Sequence, residues 1–205
     1  METVLVFAAG DPLPRSMAGD IPEAALVIAA DGGHRLADAL GWRIDVLVGD
    51  LDSTGTVPEG VNVQAHPTDK DATDLELALE LAVARDPRRI VVVGGAGGRL
   101  DHELAVAGVI ASTRWAGVGE IDWVSGRGRS HVVRGTRRLH GEVGATLTLL
   151  AMGGPVTGLT TSGLHWELRD ATLHPGSSLG VSNYLERTAV EISVGSGTLL
   201  AVFPA

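Results

Sequence analysis

The sequence predicts an α/β domain with a mainly parallel sheet over residues 1–125, followed by an all-β, sandwich-like domain over residues 130–205. Three observations predict it. Short β-branched runs alternate with helical apolar patterns through the first part, the sequence signature of a parallel sheet covered by helices. The helical periodicity stops around Ser125-Gly126-Arg127-Gly128-Arg129, and short runs separated by Gly, Pro, Ser and Thr follow. The composition supports a substantial core: 44% of the 205 residues are hydrophobic but only 3% are aromatic, so the interior must be built from Val, Leu, Ile and Ala.

In chain order, Val4 to Phe7 is the first strand. Glu2 stands where a signal peptide carries a basic residue, and the apolar run ends by Gly10-Asp11-Pro12. Ala25 to Ala29, Val46 to Val48, Val61 to Gln64 and Ile90 to Val93 are further strands. Between the last two, Leu75, Leu77, Ala78, Leu79, Leu81 and Ala82 form a broad apolar helical face, with Glu76 and Glu80 on the solvent side. In the second domain Thr146 to Leu150, Val156 to Thr161, Leu164 to Leu168, Ala189 to Val194 and Thr198 to Phe203 read as strands. No apolar segment approaches the roughly 20 residues that span a bilayer.

Charge and composition exclude several classes of function. A net charge of -9 argues against nucleic acid as a partner, because nonspecific binding needs a basic surface. The absence of cysteine removes disulfides, thiol catalysis and cysteine-based zinc sites together, and is typical of a cytoplasmic protein. The histidines show neither H-x-x-x-H nor H-E-x-x-H spacing.

The chemistry-bearing motifs each lie at the boundary of a predicted strand or helix. Asp50 and Asp52, in Gly49-Asp50-Leu51-Asp52-Ser53, follow a strand two residues apart, so both carboxylates point to one face, at the edge where open α/β sheets bind ligands. Two such carboxylates repel unless a cation lies between them, and an all-oxygen set suits Mg²⁺; a solvated acidic turn is the alternative. Asp71 and Asp74 are spaced across a predicted helix start, where acids also serve as ordinary caps, but Lys70 beside them adds the cation wanted where phosphate and metal meet.

Gly94-Gly95-Ala96-Gly97-Gly98-Arg99 joins a strand to a helix, so its backbone N–H groups can face an anion and Arg99 can fork phosphate oxygens. It matches neither the Walker loop nor the Rossmann fingerprint. Asp31-Gly32-Gly33 adds another acid at the same edge, and His102 lies beside Asp101. In the second domain, Trp166 alternates with His165 and Glu167, and lies in the same domain as Ser182 and Asn183; a flat aromatic near hydroxyl and amide groups can stack on a heteroaromatic ring.

These motifs, in this order, resemble the thiamine pyrophosphokinase (thiamin diphosphokinase) family over essentially the whole chain. The resemblance implies a first domain that binds Mg-ATP, a second that binds thiamine, and a cytoplasmic homodimer with thiamine where the subunits meet. It implies transfer of the β,γ-pyrophosphoryl group of ATP to the hydroxyethyl oxygen of thiamine, with release of AMP. By that resemblance Asp50, Asp52 and Asp74 are the Mg²⁺ ligands, and Asp31, Gly32, Lys70, Thr73, Arg99 and His102 contact the nucleotide. Lys70, Asp71, Arg99 and Asp101 act at the reacting groups, and Asp101, Trp166, Ser182 and Asn183 meet thiamine. Val106 stands where family members often carry Asn. The competing readings are a related pyrophosphokinase acting on another alcohol and a non-catalytic nucleotide-binding relative.

Overall fold

The computed structural model describes residues 2–50, 60–67, 69 and 71–205. The chain divides into two compact units, residues 1–109 with 117–127, and residues 110–116 with 128–205.

Among the described residues the first unit has six parallel strands: β1 (Thr3–Ala8), β2 (Leu26–Ala30), β3 (Val46–Gly49), β4 (Asn62–Ala65), β5 (Arg89–Gly94) and β6 (Glu120–Ser125). They are ordered β4-β3-β2-β1-β5-β6, and every neighbouring pair is parallel. The near-continuous apolar runs follow from burial on both faces: in β1 and β5 all residues but the first are buried. Leu5, Phe7, Val91 and Val93 form one side of the core, together with Leu36 and Leu47. Within β6, buried Asp122 is paired with Arg89 on β5 by guanidinium contacts of 2.6 and 2.7 Å, so the carboxylate keeps its charge satisfied inside the sheet.

The helices of this unit are α1 (Arg15–Ala18), α2 (Gly33–Ala39), α3 (Asp74–Val83) and α4 (Leu100–Ile110). α3 matches its periodicity, burying Leu75, Ala78, Leu79 and Ala82 while Glu80 is exposed. Thr73 caps it, accepting a hydrogen bond from the N–H of Glu76 at 3.2 Å. The helix therefore starts at Asp74. Asp71 lies ahead of it, so the expectation that both acids share its first turn holds for Asp74 alone.

The strand order carries the functional consequence. From β1 the chain first adds β2, β3 and β4 on one side, then returns to add β5 and β6 on the other. The order reverses between β1 and β5. Loops leaving the carboxyl ends of those two strands diverge, and they open the crevice in which sheets of this kind bind ligands.

The second unit is antiparallel throughout. Its strands are β7 (Gly128–Val133), β8 (Thr136–His140), β9 (Thr146–Ser162), β10 (Ala171–Leu173), β11 (Asn183–Tyr184), β12 (Ala189–Ser193) and β13 (Ser196–Pro204). The main path runs β7-β13-β9-β12-β8, with β10 and β11 also pairing with β9. Leu147, Leu149, Leu159, Val190, Ile192 and Leu199 are among its fully buried core.

Two sequence expectations change here. Thr146 to Leu150 and Val156 to Thr161 belong to one 17-residue strand, which continues through left-handed backbone at Gly153 and Gly158. Its earlier part pairs with β13 and its end with β12, so a single segment serves two pairings. Leu164 to Leu168 is not a strand: Leu164 makes one isolated bridge to Leu185, and no further ladder forms beyond it.

Candidate active site

In the first unit a cavity of about 380 Å³ opens at the carboxyl ends of the strands. Its floor comes from Ala8 and Ala9 after β1, Ala30 and Asp31 after β2, Asp50 after β3 and Gly95 after β5. The start of α3 supplies Thr73, Asp74 and Leu75, and α4 supplies His102, Ala105 and Val106. Asp31, Asp50 and Asp74, far apart in the chain, thus line one cleft, and each is half-buried. The Oδ1 of Asp74 is buried. Parallel topology does this: each strand end delivers one loop to the same edge.

Asp31 is held in left-handed backbone, φ 44°, a conformation that Asp tolerates better than most residues. Its N–H bonds the carbonyl of Val48 at 2.7 Å, and its own carbonyl lies 2.9 Å from Nδ1 of His34. One main-chain bond and one contact to the His34 ring thus hold the turn through the backbone of Asp31.

The donor set in the cleft is all oxygen, with a lone imidazole, His102, at its edge. That chemistry fits a hard divalent cation such as Mg²⁺ rather than zinc. Among the described residues no three acidic or imidazole groups stand close enough together to hold one ion. Asp52, expected as a ligand beside Asp50, and Lys70, expected at phosphate, lie outside the described residues. Asp71 is exposed and does not line the cavity. Much of the remaining lining is apolar: Ala8, Ala9, Ala105, Val109 and Val106, the last only 8% exposed, offer no side-chain hydrogen bond.

The glycine loop after β5 is shaped by its own contacts. Gly97 has φ 87°, and a side chain there would strike the Asp11 carboxylate. The N–H of Asp11 bonds the carbonyl of Ala96 at 2.8 Å, while the N–H of Gly97 donates to Glu103 Oε2 at 3.1 Å. One of the amides expected to face an anion is thus occupied by the first turn of α4. Glu103 was not singled out from sequence, although its place in the first turn of a helix after a glycine loop carried the signal.

Arg99 and Asp101 meet each other. Nε of Arg99 donates to Oδ1 at 3.1 Å and Nη2 to Oδ2 at 2.5 Å, a two-bond fork on an exposed surface. Hydrogen bonding to that guanidinium, aided by its charge, holds the Asp101 carboxyl down at about 2, and the same pairing raises Arg99. Neither residue lines the cavity.

In the second unit, a separate cluster forms around Trp166, which is 56% exposed. Asn183 is buried, and its amide is committed to main chain: Oδ1 accepts from the N–H groups of Trp166 at 3.1 Å and Tyr184 at 2.9 Å, and Nδ2 donates to the Trp166 carbonyl at 2.8 Å. Ser182 is exposed in left-handed backbone, φ 59°, with its N–H donating to Thr148 Oγ1 at 3.0 Å. The rings of His165 and Tyr184 stack at 4.5 Å, a contact sequence reading missed.

Two family models match in chain order. The first describes the thiamin pyrophosphokinase catalytic domain and covers residues 20–116. The second describes the vitamin B1 binding domain of the same enzymes and covers residues 130–199. The chain belongs to the thiamin pyrophosphokinase family. Membership makes it an enzyme of thiamine diphosphate formation.

It is 26% identical over 215 aligned positions to thiamine pyrophosphokinase 1 of Oryza sativa subsp. japonica, covering 87% of this chain and 79% of that protein. Thiamine pyrophosphokinase 2 of Arabidopsis thaliana is also 26% identical, over 87% of this chain and 78% of that one. In fold it is similar to the thiamine pyrophosphokinase of Bacillus subtilis, with a TM-score of 0.85 at 23% identity over 99% of both chains. It is also similar to that of Candida albicans, with a TM-score of 0.76 at 13% identity over 99% of this chain and 90% of the other. Among the described residues no helix is long and apolar enough to cross a membrane.

Proposed function

We propose that this chain transfers the β,γ-pyrophosphoryl group of ATP to the hydroxyethyl oxygen of thiamine, releasing AMP, in a Mg²⁺-dependent reaction. The observation that carries this reading is the cleft at the switch point of the parallel sheet, where Asp31, Asp50 and Asp74 converge beside an apolar wall. An acidic edge beside an apolar pocket suits a metal-bound polyphosphate attached to a flat base.

The chemistry needs no covalent enzyme intermediate. The alcohol oxygen attacks the β-phosphorus, the bond from that phosphorus to the α,β-bridging oxygen breaks, and AMP leaves with the bridging oxygen. Asp50, Asp52 and Asp74 hold the metal. When bound, Mg²⁺ neutralises phosphate charge and offsets the charge on the leaving group. Lys70 and Arg99 orient the phosphates, with Asp31, Gly32, Thr73 and His102 around the nucleotide. Arg99 must exchange Asp101 for phosphate to do so. The alcohol proton goes to Asp71, or to Asp101 once that exchange has freed it, since a carboxylate held near 2 is too weak a base at neutral pH.

Residues 1–125 handle the nucleotide and residues 130–205 thiamine, with Trp166, Ser182 and Asn183 at the substrate, the Asn183 amide bonding the Trp166 main chain. The protein works as a cytoplasmic homodimer, a state that sedimentation analysis tests directly. The deciding experiment is product analysis: purified protein with Mg-ATP and thiamine should yield AMP and thiamine diphosphate in equal amounts. Release of ADP with thiamine monophosphate would overturn pyrophosphoryl transfer.

A further inference from the structure

The segment Gly163-Leu164-His165-Trp166 leaves β9 and does not continue as a strand. In an extended strand, adjacent side chains point to opposite faces. Here the rings of His165 and Trp166 meet instead, at 4.7 Å and 80° between planes. Trp166 is held at two levels. Its backbone N–H and carbonyl both bond the Asn183 amide, which stands in for a partner strand. Its ring touches His165 and, at 5.5 Å and 78°, Tyr184.

His165 is itself held. It lies flat on Tyr184, with 16° between the planes, and its N–H donates to the Tyr184 carbonyl at 3.0 Å. Its Nδ1 lies 2.7 Å from Oε1 of Glu186. A carboxylate only accepts, so Nδ1 carries the proton, and the bond fixes both tautomer and ring orientation. Glu186 is anchored in turn, its N–H donating to the Gly163 carbonyl at 2.9 Å. The chain of contacts runs Glu186, His165, Trp166. It ends on Trp166, which is 56% exposed.

We propose that His165 and Glu186 are positioning residues for Trp166, fixing the indole so that it presents a preset platform to the flat heteroaromatic part of the substrate. This rests on the thiamine reading of the β unit given above. A platform already immobile when substrate arrives loses less rotational freedom on binding, which lowers KM without touching the chemical step.

The test compares Glu186→Ala, Glu186→Gln and Trp166→Ala by steady-state kinetics. It adds time-resolved fluorescence anisotropy of Trp166, isolated from the other three tryptophans by subtracting the Trp166→Phe protein. Glu186→Ala should raise the thiamine KM about three- to tenfold, leave kcat and the ATP KM unchanged, and speed the local depolarisation of Trp166. Glu186→Gln keeps an acceptor for Nδ1–H and should recover most of both. An unchanged thiamine KM in Glu186→Ala, with a raised one in Trp166→Ala, overturns the positioning role. So does a parallel change in both KM values, kcat and thermal midpoint, which marks a merely structural contact. An unchanged thiamine KM in Trp166→Ala overturns the placement of substrate in this unit, and the positioning role with it.

Discussion

In the α/β unit the candidate site draws on residues from Ala8 to Val109, gathered because parallel strands end at one edge. In the β unit the Trp166 cluster draws only on Gly163 to Glu186, and side chains bonded to main chain hold it together. The first site is assembled by topology and lined with half-buried carboxylates. The second is assembled by specific hydrogen bonds and presents a hydrophobic ring. Substitutions in the first should therefore cost activity more than stability. In the second, loss of the Asn183 bonds to main chain should cost stability, and loss of the ring contacts substrate affinity.

The largest effect expected is at Asp50. Replacing it with Asn keeps the shape and removes one charge from the cleft, so kcat for AMP release should fall about 100-fold or more. Unfolding free energy in urea should move by less than about 1 kcal/mol. If stability fell and turnover held, the cleft would be a structural feature and the contrast between the units would collapse.

Asn183→Ala is the counterpart in the β unit. Three hydrogen bonds from a buried amide are lost, and part of the exposed main chain regains water, so a destabilisation of about 2 kcal/mol is expected in denaturant titration. The thiamine KM should rise with it. Thr73→Ala sharpens the same contrast within the first unit, because Thr73 lines the cleft yet also caps α3. It should cost about 1 kcal/mol, and Thr73→Ser, which keeps the accepting oxygen, should restore it. A large loss of turnover in Thr73→Ser would show the methyl group working on the ligand instead.

The same division explains what was legible in the sequence. The parallel sheet and α3 were readable because burial on both faces of a sheet, or along one face of a helix, writes itself as runs and periods. The acids of the cleft are readable because Asp31 and Asp50 each follow directly on a strand and Asp74 opens a helix. β9 was read as two strands because Gly153-Gly154-Pro155 looks like a break, whereas the chain bends there and continues pairing. Leu164 to Leu168 has the composition of a strand, but its pairing stops after the Leu164–Leu185 bridge and the His165 N–H, and at Trp166 the side-chain amide of Asn183 takes the place of a partner strand. The fork between Arg99 and Asp101 carries no sequence signal, since two oppositely charged residues two positions apart pair or part according to the turn between them. Glu186 and Tyr184 were missed for a similar reason. Neither residue stands in a motif, and only the fold brings them against His165.

That fork supplies the smallest and most local expectation. Asp101 is depressed in the folded protein from an ordinary 3.8 to about 2, chiefly by its hydrogen bond to Arg99. A depressed acid favours the folded state at pH values above its unfolded value, and the contribution is lost as pH falls from about 3.8 through about 2. Both side chains are well exposed, so solvent and salt screen the pair and its effect on global stability is small. The effect on titration is direct. By carbon-detected NMR, the Asp101 carboxyl should titrate near 2 in the wild-type protein and return toward 3.8 in Arg99→Ala. Adding a non-hydrolysable ATP analogue to the wild-type protein should move the midpoint in the same direction, because phosphate oxygens compete for the same guanidinium fork. A midpoint that stayed near 2 with the analogue bound would mean that Arg99 never leaves Asp101, and the phosphate role would pass to other cations of the α/β unit.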